Sequence, residues 1–243
     1  MSENIKAVVE YGVELAGREE KVIEIDGKDY YDANNYRMVE LEPKRYPACL
    51  ELRTLASLVD YLKSDLNGIN QERVMVVVEN PTEVSVYSQD DERSVRTRLV
   101  NVQALTPSIH FAEWEEASDF NVLLQSKFQD RDDRWTVLEF ASALRIENAA
   151  DIKDDGVSQV TTIKDGVASV AKAKAPNPVT LRPYRTFAEV EQPASQFIFR
   201  VNKRAEMALF EADGGAWRLE AVNNIATYLK EALAGQENIT ILA

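Results

Sequence analysis

The chain has one cysteine and one histidine among 243 residues. A lone cysteine excludes an internal disulfide, and with a single histidine it argues against a Cys/His zinc site. Long apolar runs are also missing. The longest unbroken aliphatic stretch, Val74–Val78, includes Met75 and is far too short to cross a bilayer. The opening residues MSENIKAVVEYG lack a basic region followed by an apolar one, so no secretory signal is expected. Cys49, in KRYPACLEL, is expected to be buried filler in a reducing interior. These absences place the protein in a cytoplasm, where the Asn238-Ile239-Thr240 triplet would carry no glycan.

Neither GxxxxGK[ST] nor GxGxxG occurs, so both common phosphate-binding fingerprints are absent. The only paired glycines, Gly214-Gly215, lie between FEAD and AWRLEA. A strand–glycine–helix order can seat an anion at a helix N-terminus, but Asp213 beside it would repel one. A tight turn is therefore expected there. His110 stands in PSIHFAEW, outside any recognisable catalytic pattern. Asp26-Gly27-Lys28 and Asp151-Ile152-Lys153 match the DxK part of a metal-nuclease pattern, and turn chemistry accounts for the first. DIKDDG misses the spacing of a calcium loop. No catalytic residue, cofactor or metal ligand is assigned.

What the chain does have is acid. Its formal net charge is −13 and its pI about 4.7, which argues against direct nucleic-acid binding. Residues 1–150 carry −12 of that charge and residues 151–243 only −1. Residues 111–133 hold Glu113, Glu115, Glu116, Asp119, Asp130, Asp132 and Asp133, for a net of −5. Residues 172–204 reverse the sign to +5, through residues that include Arg182, Arg185, Arg200, Lys203 and Arg204. Tyr184 between two arginines adds a ring that can stack on a ligand. Two such segments are either separate solvated faces or complementary surfaces, within one subunit or between copies.

Local patterns predict an α+β fold. Ile5, Val8 and Val9 share a helical face, so a helix is expected over the first 15 residues. Asp26-Gly27 predicts a hairpin between KVIEI and KDYYDA. Leu52, Leu55, Leu58, Val59, Leu62 and Leu66 mark a helix stopped at Gly68. RVMVVVE, EVSVYS and RSVRTRLVNV predict an antiparallel meander. Phe120, Leu123, Leu124 and Phe128 predict a helix with Asp119 as N-cap. Leu138, Ala141 and Leu144 predict another, with Trp135 at its entrance. Beyond residue 150, Asp155-Gly156 and Asp165-Gly166 bracket one strand of a hairpin. SQFIFRV and EMALFEA follow as strands, then a helix from Trp217 to Leu233 ended by Gly235, then a closing strand in NITILA. Four of the eight prolines crowd residues 176–193, so the strands there are expected at edges or corners. The expected architecture is an acidic N-terminal part, 1–150, combining helices with a meander. A β-rich, sandwich-like part with a closing helix covers 151–243. The boundary is soft and also admits one compact unit.

PNPVTLRPYRTFAEVEQPASQFIFRV and ALFEADGGAWRLEAVNNIATYLKEAL resemble proteins of tailed-phage and prophage genomes, the YfdQ-like group of unknown function. The resemblance runs over about Val157–Leu233 and, more loosely, the earlier strands and Trp114–Phe128. It implies a viral or prophage origin, a bacterial cytoplasm and no assigned reaction. Three functions remain open. The first is a non-enzymatic, self-assembling homo-oligomer built on the −5 and +5 segments. The second is an acidic decoy that inhibits a basic, DNA-associated host protein. The third is a nucleotide-binding protein or enzyme using Arg182, Arg185 and the Gly214-Gly215 turn.

Overall fold

The computed structural model describes residues 5–9, 12, 22–25, 27–32, 38–40, 46–90, 95–143, 153–154, 159–165 and 169–243. Contacts divide the chain into two units, Met1–Pro47 and Ala48–Ala243. In the first, residues 5–9 and 12 are helical, with Ile5, Val8 and Val9 exposed. Strands β1 (Val22–Ile25), β2 (Lys28–Asp32) and β3 (Met38–Glu40) form an antiparallel meander. Ile25 pairs with Lys28, and Gly27 takes φ +78°, so the expected hairpin forms through a left-handed glycine. Asp26, Leu144, Asp151, Ile152, Asp155, Gly156 and Gly166, each part of a motif above, lie outside the described residues.

The second unit is built on a mixed five-stranded sheet. Its members are β4 (Leu50–Leu52), β5 (Val74–Asn80), β6 (Glu83–Ser88), β7 (Arg98–Gln103) and β14 (Ile239–Leu242), in the order β14-β5-β6-β7-β4. The centre is the expected meander, turned at Pro81-Thr82. Both margins are parallel: β14 lies along β5, and β4 along β7. Register places Val76, Val86 and Val100 in one row and Val78, Val84 and Val102 in the next, all buried. That is why these strands are rich in β-branched residues on their inner face.

Helix α1 (Leu55–Lys63) buries Leu55, Leu58, Val59 and Leu62, and the Thr54 hydroxyl accepts the Ser57 N–H at its start. The helix is shorter than the Leu52–Leu66 stripe suggested. Leu52 belongs to β4, and Ser64 ends the helix by donating its hydroxyl to the Tyr61 carbonyl. Gly68 takes its left-handed conformation later, inside a 3-10 turn at Leu66–Gln71.

A second core joins segments from both sides of residue 150. Helices α2 (Ala117–Lys127) and α3 (Arg134–Ala143) cover the sheet of β11 (Val179–Leu181), β12 (Ser195–Val201) and β13 (Met207–Glu211). Phe120 stacks on Phe199 at 5.5 Å, Phe140 meets Phe199 edge-on, and Phe128 meets Phe197. Glu116, not Asp119, occupies the N-cap of α2. Asp119 stands in the first turn, where its charge still suits the helix dipole. Of the prolines expected at edges or corners, Pro176, Pro178 and Pro183 flank β11, an edge strand, and Pro193 stands just before the central strand β12. A third, antiparallel sheet comprises β8 (Lys153–Asp154), β9 (Gln159–Asp165) and β10 (Ser169–Lys174). The buried Gln159 amide exchanges two hydrogen bonds with the Val201 backbone. Helix α4 (Trp217–Ala232) packs on β5, β14 and α1, and Gly235 lies beyond its end at φ +87°.

Candidate functional site

The acidic segment straps the sheet that carries the basic one. Its first end runs antiparallel along the outer edge of β13. Glu115 and Met207 exchange both backbone hydrogen bonds, and Ala112 N–H donates to the Leu209 carbonyl. Its far end runs along the outer edge of β11. Gln129 N–H donates to the Arg182 carbonyl, Asp133 N–H to the Thr180 carbonyl, and Tyr184 N–H to the Lys127 carbonyl. Both sheet edges are thus closed by backbone hydrogen bonds from one continuous stretch.

Side chains complete the strap. Arg182 donates from Nε to Asp132 Oδ2 at 2.7 Å and from a terminal nitrogen to Glu191 Oε1 at 2.8 Å and the Gln192 carbonyl at 3.1 Å. The Asp132 hydrogen bond raises its pKa above the ordinary arginine value. Asp133 accepts from Thr180 N–H at 2.8 Å, and Asp130 pairs with Arg134 at 2.7 Å. The oppositely charged segments therefore meet within a single chain.

Arg185 lies deeper, 8% exposed. It donates to Glu211 Oε1 at 2.8 Å and to Ser195 Oγ, and its guanidinium lies 3.8 Å from the Trp217 ring centre. Burial pushes its pKa down to about 10, against the pull of Glu211 and Asp213. The fully buried Gln192 fixes the preceding loop. Its carbonyl oxygen accepts from the Arg185 and Thr186 N–H groups, and its amide donates to the Phe187 carbonyl.

Ser195 in turn donates its hydroxyl to Asp213 Oδ2 at 2.6 Å, and Asp213 Oδ1 accepts the Gly215 N–H at 2.9 Å. Burial acts to raise the Asp213 pKa. The hydrogen bonds from Ser195 and Gly215, with the Arg185 charge, outweigh it and hold the carboxyl below its ordinary range. The start of α4 is thus served by the chain's own carboxylate, and Gly214-Gly215 is the tight turn expected, at φ +65° and +83°.

The other basic candidates lie at the surface or on β12. Arg204 pairs with Glu206 at 3.2 Å, Lys203 is exposed, Tyr184 is partly exposed, and Arg200 is half-buried on β12. Among the acids, Glu113, Glu116 and Asp119 are exposed and make no ion pair among the described residues. Glu115 is half-buried. Burial first, then Asp119 and Glu113, pushes its carboxyl pKa up, against Lys127 and His110.

His110 is exposed and shares a 3.1 Å hydrogen bond with Ser108. Cys49 is exposed rather than buried, because it precedes β4 at the margin of the five-stranded sheet. Partial desolvation and Glu51 raise its thiol pKa, the opposite of an activated nucleophile. Among the described residues no three His, Cys, Asp or Glu side chains converge as a metal site. Nor is any described helix long and apolar enough to cross a membrane.

One surface feature was not singled out from the sequence. Trp135 is 69% exposed and borders a groove of about 630 Å³ lined also by Gln125, Arg134, Leu138, Glu139 and Ser142. The spacing of Trp135, Leu138, Glu139 and Ser142 on one helix face is its only sequence signal. No family model, curated protein or solved structure matches the chain.

Proposed function

We propose that the chain is a non-enzymatic binding protein that presents an acidic face to a basic protein partner. One observation carries this reading. Arg182, Arg185 and Arg204 are neutralised by carboxylates of the same chain, whereas Glu113, Glu116 and Asp119 stay exposed and unpaired among the described residues. Against the exposed Lys203, these three carboxylates leave the surface charge offered to a partner here net negative. The backbone of the acidic segment is held along β13, so its carboxylates stand on a rigid support. A fixed negative patch speeds encounter with a basic surface and selects against acidic ones. Because a concentrated negative face can imitate nucleic acid, the partner this reading favours is a basic, DNA-associated protein. The test compares the wild type with the E113K/E116K/D119K variant as bait in bacterial lysate. Basic proteins retained by the first and lost by the second support the reading, and their absence from the wild-type eluate overturns it.

A second reading, self-assembly, has its own observation. The edge strand β14 reads Ile-Thr-Ile-Leu, with no charge or proline to block pairing, and Leu242 is 46% exposed. Light scattering on a sizing column at low and high salt tests it. A single 27.4 kDa species in both removes it.

A further inference from the structure

We infer that the cavity where β5 and β14 begin and β6 ends binds a small zwitterion such as an unblocked dipeptide, with a free amine at one end and a free carboxylate at the other. The inference stands apart from the acidic face, since no residue of the 111–133 segment lines this cavity.

The cavity holds about 490 Å³, within the range of about 300–1,000 Å³ that small-molecule sites occupy. Hydrogen bonds fix its framework. Val74 N–H donates to the Asn238 carbonyl at 3.0 Å, and the Asn238 amide donates to the Glu72 and Asn70 carbonyls at 2.7 and 3.2 Å. At the end of β6, Ser88 N–H donates to the Thr97 carbonyl and Thr97 N–H to the Ser88 hydroxyl, both at 3.0 Å. These bonds hold the starts of β5 and β14, and the two ends of the β6–β7 connection, in place. A site on such a framework needs little reordering to bind.

Charge selects the ligand. Arg73 and Glu237 line the cavity from the starts of β5 and β14, and Asp90 and Arg96 from the β6–β7 connection. All four are exposed and make no ion pair among the described residues. Arg134, Arg182 and Arg185, by contrast, are each matched to a carboxylate of the chain. Two cations and two anions thus share one cavity without neutralising each other. A plain anion is drawn by the arginines and opposed by the carboxylates, and a plain cation meets the reverse. A ligand with one charge of each sign at opposite ends satisfies both sets. Guanidinium forks suit its carboxylate. Asp90 and Glu237 accept from its ammonium, as does the side-chain oxygen of Asn238, whose nitrogen is already spent on the backbone. The buried Val74 and half-buried Met75 supply an apolar strip between the charged ends.

Calorimetric titration of the full chain with L-alanyl-L-leucine tests this. N-acetylation and C-terminal amidation of the dipeptide are each expected to weaken binding about tenfold, since each removes one set of charge-assisted contacts. Two double variants read the ends separately. R73Q/R96Q should erase the preference for the free carboxylate and keep that for the free amine, and D90N/E237Q should do the reverse. A folding defect would abolish both preferences together. The four side chains are exposed, so thermal midpoints should stay near that of the wild type. The inference is overturned if the dipeptide does not bind at millimolar concentration, if the doubly blocked dipeptide binds equally well, or if either variant keeps both wild-type preferences. Inorganic phosphate binding as tightly as the dipeptide marks a plain anion site and overturns it too.

Discussion

Arg182 and Asp132 stand 50 residues apart in sequence and are joined by a 2.7 Å charge-assisted hydrogen bond. The bond fastens the α2–α3 loop to the end of β11, beside the backbone pairs that close that sheet edge. Asp132 holds a left-handed φ of +51°, which aspartate tolerates better than most residues. Arg182→Ala removes a mostly buried guanidinium and leaves two carboxylates and a backbone carbonyl without their donor. We expect a loss of about 1–2 kcal/mol in urea unfolding. A double-mutant cycle with Asp132→Asn should show coupling, because the two groups share one bond.

Arg185 should matter more. It is buried between Glu211, Ser195 and the Trp217 ring, so its removal strands a carboxylate and empties a stacking position. Arg185→Ala is expected to cost about 3 kcal/mol, with a change in tryptophan emission. Arg185→Lys keeps the charge but loses the planar fork, and should recover only part of that loss.

Acid should act on the Ser195–Asp213 link. The folded Asp213 carboxyl titrates below its unfolded value, so the unfolded chain binds its proton first as pH falls. Its stabilisation is complete above the unfolded carboxyl pKa of about 3.9 and is lost as pH falls through the lower folded value. Asp213→Asn should therefore lower stability at neutral pH and flatten the acid limb, measured as urea midpoints from pH 7 to pH 2.

Glu115 carries the opposite sign. Burial raises its folded pKa, so its ionised form opposes folding at neutral pH and the penalty fades as pH falls through that raised value. Glu115→Gln is expected to stabilise the chain at pH 7 and to have no advantage below pH 4. Unfolding midpoints at the two values check this.

Gly215 combines φ +83° with a position where an added Cβ would run into the Arg218 guanidinium. Gly215→Ala should cost about 1 kcal/mol or more, and Gly235→Ala, with open space at its Cβ, should cost less. Thermal midpoints of the two variants decide the order.

Much of the fold was legible because its cues are local. Gly27 marked a hairpin, Val74–Asn80 and Glu83–Ser88 read as strands, and the stripe through Ala221, Ile225 and Leu229 marked α4. The two parallel margins were not legible. Asn238 reaches the Asn70 carbonyl across 168 positions, and no periodicity in either segment names the other as partner. The site divides in the same way. Charge segregation was visible as −5 and +5 runs, but whether Arg182 meets Asp132 of its own chain or of another depends on packing. Exposure misleads for the same reason. Cys49 and Trp135 carry side chains common in cores, and only the surrounding layers decide that neither lies in one.

The parallel seat of β14 on β5 also sets an order of events in the cell. The meander of β5, β6 and β7 leaves the ribosome early, with the β5 edge facing water until residues 239–242 emerge. Meanwhile α4, which packs across that strand and its neighbour, has not yet been made. The nascent chain must keep a valine-rich edge unpaired through most of its own translation. The expected consequence is a demand for chaperones during synthesis that the stability of the finished molecule does not reveal.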